Sequence, residues 1–173
     1  MAQNSNYVTV DGEFDSLEKR SFLTIDDYNL ESQTVILRID INSSINPENG
    51  EILDDTRIKR HAATVKELSG MNAKVIILAH QSRPGKLDFV NLQKHGERMS
   101  QIIDKEIMFV DDLYGDKAIN QIKNLRNGDI ILLDNVRFDK EENELNKFMN
   151  KKFDKQNNSE MVKKLSPHAS YFV

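Results

Sequence analysis

His80, Arg83 and Arg137 each come soon after a short run of aliphatic and β-branched residues. His80 and Arg83 follow KVIILA (Lys74–Ala79), and Arg137 follows DIILL (Asp129–Leu133) and Asp134-Asn135-Val136. Asp40 and Asn42 follow a third such run, TVILRI (Thr34–Ile39), and Arg57 comes after Asp54-Asp55-Thr56. A guanidinium grips a phosphate or carboxylate through two parallel hydrogen bonds, so these cations gathered in one cleft suit a small phosphorylated or carboxylated ligand.

Each residue also has a plainer reading. Asp40 and Asn42 favour the turn that ends a strand, and His80 suits the capping of backbone groups there. Arg137 suits a surface ion pair with Asp134 or Asp139, an interaction worth little. Arg83 precedes Pro84, which holds it in an extended or turn backbone and aims its side chain. Arg57 is harder to explain away, because a cation in the first turn of a helix opposes the macrodipole. His61 and His95 fall in mid-helix and suit structural or surface roles, and His168 has no assigned role. Asp111 and Asp112 follow a fourth run, EIMFV (Glu106–Val110).

Other chemistries lack their residues. The chain has no cysteine, so disulfides, thiolate metal sites and a cysteine nucleophile are excluded. The sequence contains neither G-x-x-x-x-G-K-[ST], nor G-x-G-x-x-G after a strand, nor G-x-S-x-G. No His/Asp/Glu set has metal-ligand spacing. A nucleotide site is therefore not expected in this chain.

The elements that must position these residues are legible. The four runs, with Tyr171–Val173 as a fifth, are continuously apolar, as in strands of a parallel sheet buried on both faces. Helical periodicity separates them: Thr56 as cap with Ile58, Ala62, Val65 and Leu68 inward and Gly70 closing; then Leu92, Met99 and Ile102. Gly96 inside that second helix costs about 1 kcal/mol against alanine. A third opens at Asp116, with Ala118, Ile119, Ile122 and Leu125 inward and Gly128 just past its end, and a fourth lies within Glu141–Leu165, interrupted by the polar Asn146–Asn158 stretch. Strand and helix in alternation predict right-handed crossovers and an α/β fold, a three-layer Rossmann-like open parallel sheet with helices on both faces. Ligands of such sheets sit beyond the carboxyl ends of the strands, where the candidate residues lie. The fifth run stops as it begins, so the sheet is expected to be incomplete at its C-terminus.

The 173 residues, 38% hydrophobic and 30% charged, predict one globular domain over residues 21–173 behind a polar extension, residues 1–20. No apolar run approaches membrane-spanning length, and no leader is visible, so a cytoplasmic location is expected. The net charge of −4 gives no reason to expect nucleic acid.

Four segments together carry a family resemblance: Asp40-x-Asn42, Asp54-Asp55-Thr56-Arg57-Ile58, His80-x-x-Arg83-Pro84 and Asn135-Val136-Arg137-Phe138. In this order and spacing the chain, from Phe22 to Val173, resembles the N-terminal half of phosphoglycerate kinases. Ala79-His80-Gln81-Ser82-Arg83-Pro84-Gly85 is similar to the archaeal, methanogen-type branch. The resemblance implies phosphoryl transfer between 1,3-bisphosphoglycerate and ADP in glycolysis, with phosphoglycerate held here and Mg-ADP or Mg-ATP on a second domain outside this chain. By position it implies that His80, Arg83 and Arg137 grip the non-transferred phosphate. Arg57 would act as the catalytic cation on the transferring group, while Asp40 and Asn42 orient the hydroxyl and carboxylate end. Two departures are mild: Asp40-Ile41-Asn42-Ser43-Ser44 replaces Asp-Phe-Asn-Val-Pro, and Asp134 stands for a frequent glutamate. The larger departure is length, since the family continues with Asn-Asp-Ala-Phe and a nucleotide domain. A substrate-binding piece inactive alone is expected, the alternative being a free-standing anion-binding or interaction module derived from the kinase.

Overall fold

The structure, a computed structural model, describes residues 23–145 and 157–173. The polar extension over residues 1–20, and residues 146–156 of the Lys/Asn-rich stretch, lie outside the described residues.

Five strands form one sheet: β1 (Thr34–Arg38), β2 (Lys74–Leu78), β3 (Met108–Val110), β4 (Ile130–Leu133) and β5 (Tyr171–Phe172). All pairings are parallel, in the order β3-β4-β2-β1-β5. The register pairs Arg38 with Leu78 and Ile77 with Leu132, so the carboxyl ends of β1, β2 and β4 share one edge. Between strands run α1 (Thr56–Gly70), α2 (Gln93–Ile103), α3 (Asp116–Lys123), α4 (Lys140–Leu145) and α5 (Glu160–Leu165).

Alternation along each strand divides the core. Val35, Leu37, Val75, Ile77 and Leu132 meet Ile58, Val65 and Leu68 of α1 and Met99 and Ile103 of α2. Their neighbours Ile36, Ile76, Leu78, Ile131 and Leu133 meet Ala118 and Ile122 of α3 and Met161 and Leu165 of α5. The inner strands β1, β2 and β4 are thus covered on both faces, which is why their text is apolar without alternating. The three-layer α/β sandwich expected from the sequence is the observed one.

Helix ends differ in detail. Thr56 is the first residue of α1 rather than its cap, and its N–H donates to the Asp54 carboxylate at 2.9 Å. In α2 the inward residue of the last turn is Ile103, with Ile102 only partly buried beside it. The third helix stops at Lys123, and Gly128, with φ of +82°, belongs to the turn entering β4. Gly96 has a packing reason: a Cβ there would lie 3.2 Å from Leu132 Cδ2, so the glycine lets α2 approach β4 closely. Beyond β5 the sheet has no further strand among the described residues, and Phe172 is 69% exposed.

Candidate functional site

Three loops leave the shared sheet edge, and each carries part of the site. After β1, the Asp40 carboxylate accepts from the Asn42 N–H at 3.1 Å, closing a tight turn. After β2 come His80, Gln81, Ser82 and Arg83, with Ser82 at φ +56°, a left-handed conformation uncommon for a residue with a side chain. After β4 the buried Asn135 caps a 3-10 turn, Val136–Phe138, by accepting from the Arg137 N–H at 3.1 Å.

The loops are stitched by side-chain amides. The Asn42 side-chain oxygen accepts from the Ser82 N–H at 2.7 Å. Asn135 Nδ2 donates to the carbonyls of Gln81 and Val90 at 2.8 and 2.9 Å. Asp134 accepts from the Leu92 and Asn135 N–H groups, and burial pushes its carboxyl above the usual range. Its role here is to hold backbone rather than to pair with Arg137.

The cations are arranged in two adjoining hollows of about 290 Å³ each. One is lined by Arg38, Ile39, Asp40, His80, Arg137 and Glu142, the other by Asn42, Ser43, Ser44, Asp54, Arg57 and Asp88. The Arg57–Asp40 ion pair joins them, which explains how a cation is tolerated at the second residue of α1. Arg137 donates to the Ser82 carbonyl and pairs with neither Asp134 nor Asp139. Half-buried His80 has its pKa held below the usual histidine value, first by burial and then by the Arg137 guanidinium, against an opposing pull from Asp40. Arg83 is exposed and lines neither hollow; its carbonyl accepts from the Lys86 N–H at 3.2 Å, and its guanidinium has no ion pair or hydrogen bond among the described residues.

Five of the six candidates therefore line two neighbouring hollows rather than one cleft, and Arg83 projects from the loop between them. Asp111 and Asp112 are not part of this grouping. Asp111 pairs with Lys117, and Asp112 accepts from the N–H groups of Leu113, Gly115 and Ala118 at the start of α3. Sequence reasoning missed Arg38, which lines the His80 hollow and pairs with Glu142. The available signal was a lone charge closing an aliphatic strand.

A roomier groove of about 520 Å³, lined by Ile36, Leu78, Met161, Leu165 and Tyr171 among others, is mostly apolar and lies between β5 and α5.

A parallel sheet with helices on both faces, and with Arg38, Arg57, His80 and Arg137 lining two hollows at the carboxyl ends of its strands, defines a Rossmann-like α/β domain. The family follows from comparison: the phosphoglycerate kinase model matches residues 25–173, and the chain belongs to that family. It is 47% identical over 152 residues to the phosphoglycerate kinase of Methanobacterium bryantii, and 48% identical over 154 residues to that of Methanococcus maripaludis. Each alignment covers 88% of this chain, but only 36% and 37% of the relatives. The crystal structure of phosphoglycerate kinase from Pyrococcus horikoshii superposes with a TM-score of 0.79 at 32% identity, over 87% of this chain and 36% of that one. The chain thus spans about a third of the length of the relatives it matches.

Proposed function

We propose that residues 21–173 form the phosphoglycerate-binding part of a phosphoglycerate kinase, behind a polar extension over residues 1–20. The reaction is 1,3-bisphosphoglycerate with ADP giving 3-phosphoglycerate and ATP. The observation that carries this reading is the set Arg57, His80, Arg83 and Arg137 at one sheet edge, of which, among the described residues, only Arg57 forms an ion pair with a carboxylate. His80, Arg83 and Arg137 bind the non-transferred phosphate through charge-assisted hydrogen bonds. Arg57 exchanges Asp40 for the transferring group and stabilises charge spread over its equatorial oxygens. Asp40, so released, joins Asn42 in orienting the hydroxyl and carboxylate end.

The nucleotide and its Mg²⁺ are assigned outside this chain. Among the described residues no group of three or more His, Asp or Glu side chains fits a metal ion. The described residues also include no helix long and apolar enough to cross a membrane. A cytoplasmic place and no nucleic-acid partner accord with this reading.

Calorimetric titration with 3-phosphoglycerate, beside a coupled assay with ADP and 1,3-bisphosphoglycerate, tests it. Weak binding that declines with salt, and no turnover, is the expected result. Turnover by the pure chain would overturn the placement of the nucleotide site.

A further inference from the structure

Gln81 stands between His80 and Ser82, yet its side chain points inward and is fully buried. Its amide grips both polar groups of one backbone residue across the gap between loops. The Ser43 N–H donates to Gln81 Oε1 at 2.9 Å, and Gln81 Nε2 donates to the Ser43 carbonyl at 3.0 Å. The side chain so extends the sheet ladder where the strands have ended. Those two backbone groups fix which end of the amide is oxygen. Oε1 can only accept, so His95 Nε2, 3.0 Å away, must carry the proton it donates. His95 is 1% exposed, and its Nδ1 has no partner among the described residues.

The placement matters because Ser43 follows Asn42 and Gln81 precedes Ser82. An outer link, Asn42 to Ser82, and an inner link, Ser43 to Gln81, lie side by side. Together they fix the register between the loop carrying Asp40 and the loop carrying His80 and Arg83. The inner link is uncharged and buried, so an incoming anion does not compete for it. Resting on the function proposed above, we propose that Gln81 and His95 are positioning residues of the anion site: His95 orients the Gln81 amide, and that amide locks the Asp40–Asn42 loop against the His80–Arg83 loop.

The test uses the full 173-residue chain, with 3-phosphoglycerate as probe and NMR signals of the Asn42, Ser43 and Ser82 amides as a ligand-free readout. Gln81→Leu should shift the Asn42 and Ser82 signals, speed exchange of the Ser43 amide, and weaken binding about tenfold or more. His95→Leu should weaken binding in the same sense. His95→Gln, whose side-chain N–H can still donate to Oε1, should recover most of the affinity. Wild-type affinity in folded Gln81→Leu overturns the proposal, and equal losses in His95→Leu and His95→Gln remove His95 from it. If Gln81→Leu does not fold, the two His95 variants decide. If the wild-type chain binds no phosphoglycerate, the function proposed above fails instead. The loop lock is then judged by the amides, and unchanged Asn42 and Ser82 signals in Gln81→Leu overturn it.

Discussion

Arg83 and Arg57 differ in what each already holds. The Arg83 guanidinium is exposed and has no partner among the described residues, so a ligand phosphate gains its hydrogen bonds without breaking others there. Arg83→Ala should lower phosphoglycerate affinity by about 1.5–3 kcal/mol, the scale of a hydrogen bond to a charged group, measured by calorimetry. An unchanged affinity would remove Arg83 from the site. Histidine 95 yields a different expectation. Burial pushes its pKa down to about 4, against an unfolded value near 6.5. The folded state therefore refuses a proton that the unfolded chain accepts, and stability present above pH 6.5 is lost as pH falls toward 4. Denaturant unfolding should show a loss of about 2 kcal/mol from this residue between pH 7 and pH 5. His95→Gln should flatten that limb, and a limb of equal slope in the variant would contradict the burial argument. At this scale the places of Arg57, His80 and Arg137 at the sheet edge were legible, because each follows a strand run closely or falls in the first turn of a helix. Gln81 and His95 were not, since a buried amide and imidazole look like surface residues until their partners are placed.

Elements were easier to read than their junctions. Continuous runs such as KVIILA reveal strands because two covered faces leave no position for a polar residue. The ends of α1, α2 and α3 moved by a few residues, because turn and capping geometry there depends on partners distant in sequence. Gly96 shows the limit most clearly. From sequence it is a helix defect whose replacement by alanine gains about 1 kcal/mol. In the fold, the new methyl group meets Leu132 Cδ2 at 3.2 Å, on a leucine that is 1% exposed in a strand paired on both sides. Overpacking of such a site costs about 1–3 kcal/mol, which cancels or exceeds the helical gain. Gly96→Ala should therefore leave the melting temperature unchanged or lower it, and a clear rise would show that Leu132 repacks freely.

For the whole molecule, the parallel sheet brings residues as distant in sequence as Asp40 and Arg137 to one edge, which no local reading of spacing alone supplies. The sequence pointed to the edge; the division into two hollows joined by Arg57 and Asp40 depends on side-chain placement. The opposite flank of the architecture has its own consequence. β5 pairs with β1 on one side, has no strand on the other among the described residues, and carries Phe172 at 69% exposure beside an apolar groove. An open, apolar strand edge is a template for another chain. Pairing between molecules rises with the square of protein concentration, whereas capture of a small anion rises only linearly. Any pairing between copies at this edge would show as an elution volume that changes along a dilution series, whereas capture of a small anion would leave it unchanged.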